Sequence, residues 1–296
     1  MNTRADIPFH LLFPQWQGSG AANARRLYEG AWQIQGRLAE LEFAGVPVDT
    51  EAKESTEAGI VARADILQHA RRAHALLAEA APERIVTIGG DCGVDLVPAS
   101  YLASRYGDDL AVVWLDAHAD LNTPASSPSG TFHGMVLRSL LGEGDGEVLE
   151  QTFAPLEPYQ VFLAGVRTFD PPEFACFEEK RLSLFKPEDL AHPERLTEQI
   201  AARGFTKLHV HLDLDVLEPT LFPSTGYPTP HGVTPDTLTE LLRALQETFE
   251  LVGFTLTEFA PERAEDLEMV VGILEGLDIS SPLRGGAPLP TKSQDF

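Results

Sequence analysis

Residues 114–120 (WLDAHAD) constrain the fold more than any other part of the chain. The apolar run at 111–115 leads into them and is typical of a buried strand in a parallel sheet. Asp116, His118 and Asp120 then follow at alternate positions, so they point the same way if the chain stays extended. Converging carboxylates are costly without a cation among them, and the pattern therefore predicts a divalent metal site.

A second stretch, residues 207–215 (KLHVHLDLD), has the same character. It predicts a strand that carries Asp213 and Asp215 to its end on one face. Ligands of open α/β sheets bind beyond the carboxyl ends of the strands, so both stretches meet in one crevice. Four carboxylates and an imidazole favour a pair of oxygen-preferring ions such as Mn²⁺. For either stretch alone, the alternative to a metal site is a polar loop whose acids face water. The presence of two such stretches counts against this alternative.

Composition and charge narrow the class of protein. The 296 residues are 43% hydrophobic and carry a net charge of −23, which predicts a soluble globular enzyme and argues against nucleic-acid or anionic-membrane partners. No apolar leader opens the chain, and no run is long enough for a membrane span. The two cysteines, Cys92 and Cys176, do not form a disulfide framework, so we expect a cytoplasmic protein.

Predicted strands alternate with predicted helices along the chain. The strands are expected at 9–13, 84–88, 111–115, 160–165, 207–214 and 251–257, and the helices at 56–80, 94–105, 135–141, 194–203, 235–248 and 266–277. This alternation predicts a single domain over 1–296, with a mostly parallel sheet between helical layers.

Five features occur in the order seen in the ureohydrolases: Gly-Gly-Asp-Cys at 89–92, Asp-Ala-His-Ala-Asp at 116–120, His133-Gly134, Asp-Leu-Asp at 213–215, and Glu258. The chain resembles this family, which includes arginase, agmatinase and formiminoglutamase, over nearly its whole length. The resemblance implies a three-layer α/β/α fold with a mostly parallel central sheet. It also implies two Mn²⁺ ions per subunit that activate a bridging hydroxide, and a homo-oligomer, either a trimer or a hexamer.

By position, the resemblance implies a role for each ligand. Asp116 and Asp213 would bridge the two ions, and Asp120 would complete the first site. His118 and Asp215 would complete the second site.

The resemblance also implies the catalytic and substrate-binding groups. His133 resembles the family's proton-shuttling histidine, and its ordinary pKa suits protonation of a leaving amine. Glu258 resembles the carboxylate that pairs with the substrate guanidinium. Together with Asp120, these two residues form the predicted catalytic set.

The loop after the first strand bears on the choice of substrate. Asn122, Ser129 and Thr131 stand where the arginase loop holds the α-carboxylate of arginine, although Thr131 replaces the usual asparagine. Asp170 resembles the aspartate that meets the α-amino group. Agmatine has no α-carboxylate, so this loop favours arginine. The alternative is a solvated turn rich in serine and proline.

Cys92 departs from the family pattern, which has a histidine ligand of the first ion at this position. The thiol either binds as a thiolate, which favours Zn²⁺ or Fe²⁺, or stays neutral and leaves the first site weak or empty. His211 stands where a small hydroxyl residue is expected, and it is either a partner of a ligand or a packed histidine. Tyr227 replaces a smaller residue and narrows the expected pocket, whereas Cys176 is expected to be inert.

Three functions remain open on these residues. The first is a metal-dependent hydrolase of a guanidino C–N bond that converts arginine to ornithine and urea. The second acts on another small guanidino or amidino compound, such as formiminoglutamate, a guanidino acid or agmatine. The third is a non-catalytic relative that lost the first metal ion and acts as a binding or regulatory subunit.

Overall fold

A parallel sheet of eight strands organises the part of the chain that the computed structural model describes, which is residues 7–51, 55–277 and 279. Its strands are β1 (Phe9–Phe13), β2 (Phe43–Gly45), β5 (Ile85–Gly89), β6 (Leu110–Leu115), β7 (Val161–Ala164), β8 (Ser183–Phe185), β9 (Lys207–Asp213) and β10 (Glu250–Thr257). The order across the sheet is β2-β1-β5-β10-β9-β6-β7-β8, and every pairing in it is parallel. A separate antiparallel hairpin joins β3 (Thr56–Glu57) to β4 (Ile60–Val61).

Helices cover both faces of the sheet. They are α1 (Arg25–Arg37), α2 (Arg63–Ala80), α3 (Leu96–Tyr106), α4 (Val136–Leu140), α5 (Gly146–Leu149), α6 (Pro171–Lys180), α7 (Pro193–Ala202), α8 (Pro235–Thr248) and α9 (Ala264–Gly276). Short 3₁₀ helices lie at Cys92–Asp95, Gly107–Asp109, Phe132–Met135, Pro158–Gln160, Asp189–Ala191 and Leu214–Val216. Among the described residues, no helix combines the length and the apolar character that a bilayer crossing requires.

Strand side chains alternate between two apolar layers, as the period of a strand requires. On β6, Val112 and Trp114 pack into the layer beneath α2 and α3. Ala111, Val113 and Leu115 pack into the opposite layer, which α1, α7, α8 and α9 cover. Both layers are fully buried, and this explains why β6 is apolar at every position. The predicted three-layer α/β/α fold with a mostly parallel sheet is confirmed.

The four central strands end at the same edge of the sheet. Their order β5-β10-β9-β6 places the residues that follow Gly89, Thr257, Asp213 and Leu115 next to one another. These are the segments that contain the predicted ligands and Glu258. The topology therefore gathers residues from four distant parts of the sequence into one crevice.

The helix predicted over 56–80 is wrong in its first turns, because α2 begins only at Arg63. The preceding residues form the β3–β4 hairpin, whose two turn residues, Ala58 and Gly59, have φ values of +50° and +81°. Two left-handed residues suit a tight hairpin and cannot belong to a helix. Ile60 is fully buried and anchors the hairpin on the body of the protein.

Candidate metal centre and active site

The chain leaves β6 at Leu115 and turns inward at Asp116. The Asp116 side chain accepts hydrogen bonds from Trp114 Nε1 at 3.2 Å and from the His118 amide at 2.6 Å. Asp120 then has a φ of +53°, so the chain does not stay extended from Asp116 to Asp120. The capping contacts of Asp116 curl the segment, and all three side chains nevertheless lie in one cluster.

At the end of β9, Asp213 begins a 3₁₀ turn and accepts the amide of Asp215 at 2.7 Å. This turn directs Asp215 toward the segment that follows β6. There Asp215 accepts the amide of Ala117 at 3.0 Å and lies 2.9 Å from Nδ1 of His118. The two metal-binding motifs of the sequence are therefore in direct contact.

A tight turn after β5 presents Cys92. A Cβ atom at Gly90 would lie 1.7 Å from the carbonyl oxygen of Gln15, so only glycine fits there. Asp91 accepts the amides of Gly18 at 2.8 Å and Gly93 at 2.9 Å, which holds the turn. Sγ of Cys92 consequently points into the cluster.

Among the described residues, side chains that can bind a metal form three groups, and within each group the ligand atoms lie within 4.8 Å of one another. The groups are Cys92, Asp116, Asp120 and His211; Cys92, Asp213 and Glu258; and Asp116, His118 and Asp215. They contain all six predicted ligands and add His211 and Glu258. Every member except His118 is buried.

The electrostatics of the cluster favour a cation. Burial first, and repulsion between neighbouring carboxylates second, raise the pKa of Asp116 and raise those of Asp120, Asp213 and Glu258 well above their ordinary values. Oδ2 of Asp120 and Oε2 of Glu258 are buried and have no hydrogen-bond partner among the described residues. Such oxygens are costly to bury unless a cation compensates them, so the donor set fits divalent metal ions.

His118 and Asp215 form the one strongly paired part of the cluster. Burial opposes the charged forms of both groups, yet each stabilises the other. The contact raises the pKa of His118 well above its ordinary value, with help from Asp116, and lowers that of Asp215. The contact therefore favours the charged forms of both side chains.

Cys92 is a neutral thiol in this setting. Burial, followed by the charge of Asp213, raises its pKa well above the ordinary value. Its Sγ donates to Oδ2 of Asp213 at 3.1 Å and lies 3.5 Å from Oγ1 of Thr257. The sulfur thus occupies the position that a ligand needs, while the proton remains on it in the absence of a metal ion.

His133 and Glu258 lie beside the cluster. Nδ1 of His133 is 3.9 Å from Oε1 of Glu258, and the His133 ring stacks on Tyr227 with centroids 5.0 Å apart and planes at 17°. Burial, followed by the nearby charge of His118, lowers the pKa of His133 to about 4. Glu258 has a φ of +62°, a left-handed conformation that is strained for a side chain of this size.

The residues predicted to bind the α-amino and α-carboxylate groups come together in pairs. Nδ2 of Asn122 donates to Oδ2 of Asp170 at 2.9 Å, and the hydroxyls of Ser129 and Thr131 are 2.7 Å apart. Asn122 and Thr131 are buried, which argues against a fully solvated turn. A Cβ atom at Gly20 would lie 2.8 Å from Cγ2 of Thr131, so the start of the chain closes over this loop.

Asp95, which was not predicted from the sequence, organises the two histidines of β9 beneath the cluster. Its Oδ2 lies 2.8 Å from Nε2 of His209 and 3.0 Å from Nδ1 of His211, and its Oδ1 accepts from Oγ1 of Thr255 at 2.7 Å. Burial opposes the charge on Asp95, but the two histidines lower its pKa to about 2. The sequence did contain a signal for such a partner, because two histidines at alternate positions of β9 point to the same side and suggest a shared buried carboxylate.

Arg167, which follows β7, has a structural role through its contacts with main-chain carbonyls. Its guanidinium donates to the main-chain carbonyls of Asp215 at 2.9 Å and Thr229 at 2.7 Å. These bonds hold the segment after Tyr227 against the β9 end. The other cysteine, Cys176, is buried in α6 away from the cluster groups.

The fold and this cluster define a three-layer α/β/α protein with a carboxylate-rich candidate metal centre at the carboxyl edge of its sheet. A model of the arginase family matches residues 23–272, and the chain belongs to that family.

Relatives and solved structures agree with this assignment. The arginase of Staphylococcus aureus strain MRSA252 is 32% identical over 182 residues, which is 60% of this chain and 60% of that protein. The arginase of Coccidioides immitis is 31% identical over 218 residues, covering 69% of this chain and 64% of that protein. The chain thus aligns with well under the full length of these curated relatives.

Two solved structures illustrate the shared fold. The arginase of Entamoeba histolytica, in complex with L-ornithine, superimposes with a TM-score of 0.83 at 20% identity and covers 93% of this chain and 99% of that one. The agmatine ureohydrolase of Thermoplasma volcanium superimposes with a TM-score of 0.65 at 16% identity, covering 93% and 90%. At these identities the likeness concerns the fold alone.

Proposed function

We propose that this protein is a metal-dependent hydrolase that cleaves a guanidino C–N bond, with arginine as substrate and ornithine and urea as products. One observation carries the proposal: a buried cluster of metal-binding side chains lies directly beside a neutral histidine and an unpaired carboxylate, His133 and Glu258. Membership of the arginase family supports the same chemistry.

The cluster would hold two divalent ions per subunit, with Mn²⁺ as the expected metal. Asp116 and Asp213 would be shared, Asp120 and Cys92 would belong to the first site, and His118 and Asp215 would belong to the second. When bound, such ions offset the carboxylate charges and supply an activated water nucleophile at neutral pH. Binding a metal requires His118 to give up the proton that now pairs it with Asp215.

His133 is the group that moves a proton. Burial keeps its pKa at about 4, so its imidazole is neutral at pH 7 and has an unprotonated nitrogen that can accept a proton during attack, although the low pKa makes it a weaker base than an ordinary histidine. Once protonated, it would be a strong acid toward the departing amine. Tyr227 stacks on the ring and orients it.

Glu258 would bind the substrate guanidinium. Its Oε2 is buried without a partner, and a planar cation with several N–H groups satisfies such a carboxylate well. Asp120 would act beside it by orienting the water nucleophile. A Cβ atom at Gly226 would lie 2.9 Å from Oε2 of Glu258, so glycine leaves the space that the guanidinium needs.

The α-amino acid end of the substrate would meet the loop after β6. Asn122, Ser129 and Thr131 would donate hydrogen bonds to the α-carboxylate, and Asp170 would face the α-amino group. Agmatine has no α-carboxylate and would forgo these hydrogen bonds, which lowers its affinity relative to arginine. Arginine is therefore proposed over agmatine and over other guanidino or amidino compounds. We also propose that residues 1–296 act as one cytoplasmic domain in a homo-oligomer, a trimer or a hexamer.

The test is urea release from arginine and from agmatine by the purified protein, together with its metal content before and after Mn²⁺ loading. Hydrolysis of arginine with a clear preference over agmatine supports the proposal, and hydrolysis of agmatine alone contradicts the assignment of the loop. One observation, the contact of Cys92 Sγ with Oδ2 of Asp213 at 3.1 Å in place of a histidine ligand, favours a second candidate, a non-catalytic subunit without the first metal ion. Substrate binding without hydrolysis of any guanidino compound would establish that second candidate.

A further inference from the structure

His211 occupies an unusual position below the metal-binding cluster. It is fully buried on β9, two residues before Asp213, and pairs across the sheet with Trp114. The two rings stack with centroids 3.6 Å apart and planes at 4°. Trp114 in turn donates to Asp116, so His211 is packed directly against a side chain that contacts the cluster.

The contacts of His211 leave one ring nitrogen free. Nδ1 lies 3.0 Å from Oδ2 of Asp95, whose carboxylate is an acceptor, so Nδ1 is the nitrogen that donates. Nε2 is buried and has no hydrogen-bond partner among the described residues. An imidazole whose other nitrogen donates to a carboxylate is the usual arrangement of a metal-binding histidine.

The cluster lies within reach of this histidine. A ring nitrogen of His211 and one ligand atom each of Cys92, Asp116 and Asp120 all lie within 4.8 Å of one another. We propose that Nε2 of His211 is a ligand of the first metal ion, in addition to Cys92, Asp116 and Asp120. This inference rests on the proposed metal centre and extends it.

The consequence is a mixed donor set. With histidine absent from position 92, the nitrogen ligand would come instead from β9, which lies two strands away from β5 in the sheet, and position 92 would contribute sulfur. One nitrogen and one sulfur beside the carboxylates of Asp116, Asp120 and the shared Asp213 suit borderline ions such as Zn²⁺, Fe²⁺ or Co²⁺ better than Mn²⁺. The two halves of the centre therefore differ in metal preference, since the second site keeps His118 with carboxylates.

His209 is the matched control for His211. If His211 only supported the fold, replacing either histidine should have the same effect on metal binding. Both histidines are buried on β9, and both contact the same oxygen of Asp95. The remaining nitrogen of His209, Nδ1, faces β10, where a Cβ atom at Gly253 would lie 2.2 Å from it. His209 therefore shares the environment of His211 without reaching the cluster.

The experiment is a Co²⁺ titration of the full chain, with calorimetric stoichiometry and the visible absorption of the bound ion as readouts. The unaltered protein is expected to bind two equivalents. His211→Gln should lose one equivalent, or bind it at least about tenfold more weakly, since even a changed partner of a ligand costs about that much. His209→Gln should keep both equivalents and the spectrum. Circular dichroism and thermal melting confirm that each variant is folded.

A rescue makes the test independent of folding defects. In a His211→Ser background, the added change Cys92→His should restore the second equivalent, because it returns a nitrogen donor to the same site. Two unchanged equivalents in His211→Gln overturn the inference alone, as does an equal loss in His209→Gln. Absence of any bound metal in the unaltered protein overturns the proposed function as well.

Discussion

Glu258→Gln is expected to stabilise the metal-free protein while it reduces arginine hydrolysis. Glu258 is 2% exposed, and its Oε2 has no partner among the described residues. Burial, followed by repulsion from Asp91, Asp215 and Asp116, raises its pKa well above the ordinary 4.5. Glutamine keeps the shape of the side chain and removes the charge that the folded protein resists.

The magnitude follows from the buried charge. A buried polar group without a partner costs roughly 1–3 kcal/mol and a charged group costs more; glutamine stays polar, so we expect it to relieve roughly 1–3 kcal/mol of the cost of the charged group. For a chain of about this size, each kcal/mol changes the melting temperature by roughly 2–4 °C, so we expect a rise of roughly 2–12 °C. Loss of a charge-assisted hydrogen bond to the guanidinium should lower kcat/KM for arginine about 10- to 100-fold.

The direction of the pKa shift determines how the stability gained by Glu258→Gln depends on pH. A group whose pKa is raised on folding contributes its full stability below its unfolded pKa of 4.5 and loses it as the pH rises toward the folded pKa. The advantage of Glu258→Gln over the unaltered protein should therefore vanish near pH 4.5 and grow from there upward. Glu262→Gln is the control, because Glu262 is exposed and should change either readout little.

The assay combines thermal melting in the presence of a chelator, at several pH values from 5 to 8, with urea release in the presence of Mn²⁺. A lower melting temperature for Glu258→Gln at pH 8, or an advantage that does not shrink in acid, would refute the argument from buried repulsion. Unchanged kcat/KM would show that Glu258 does not bind the guanidinium.

Three further outcomes are expected. Cys92→His should raise Mn²⁺ affinity about tenfold or more and increase Mn²⁺-supported turnover, because it replaces sulfur by a donor that Mn²⁺ accepts better; a calorimetric titration beside an activity titration checks this. Ser129→Ala and Asp170→Asn should each lower kcat/KM for arginine and leave any agmatine hydrolysis unchanged, which competition between the two substrates measures. Chelation of the bound metal should lower the melting temperature, since the carboxylates lose their compensating charge, and Mn²⁺ should restore it in a concentration-dependent way.

The order and type of the main elements could be predicted because each depends on a local pattern. The apolar runs of β6 and β9 and the acids that follow them reflect burial on both faces and a ligand site at the strand ends. A local sequence pattern gives the wrong prediction where the conformation of a segment depends on contacts with distant parts of the chain. Residues 56–62 favour a helix by composition, and the buried Ile60 with two left-handed turn residues makes them a hairpin instead.

In the site, too, some features follow from local sequence and others depend on long-range contacts. Asp116, Asp213 and their neighbours follow from motif and topology, and the structure brings them together although the chain is not extended through Asp120. The choice between a packed and a metal-directed His211 could not be made from sequence. It depends on Asp95, more than a hundred residues away along the chain, and on which ring nitrogen that carboxylate engages.

The strand order has a consequence for how the protein is made. β5 and β6 are separated in the finished sheet by β9 and β10, which come last along the chain among the described strands and so leave the ribosome after the other six strands of this sheet. β5 and β6 therefore cannot complete their strand pairing until β9 and β10 have been synthesised. Contacts between segments so distant in sequence form slowly. Asp213 and Asp215 arrive only with β9, so a nascent chain that ends before Lys207 contains no complete ligand set. The complete proposed ligand set therefore exists only late in synthesis, after β9 has been made, and a metal ion bound by this set would meet a largely assembled chain.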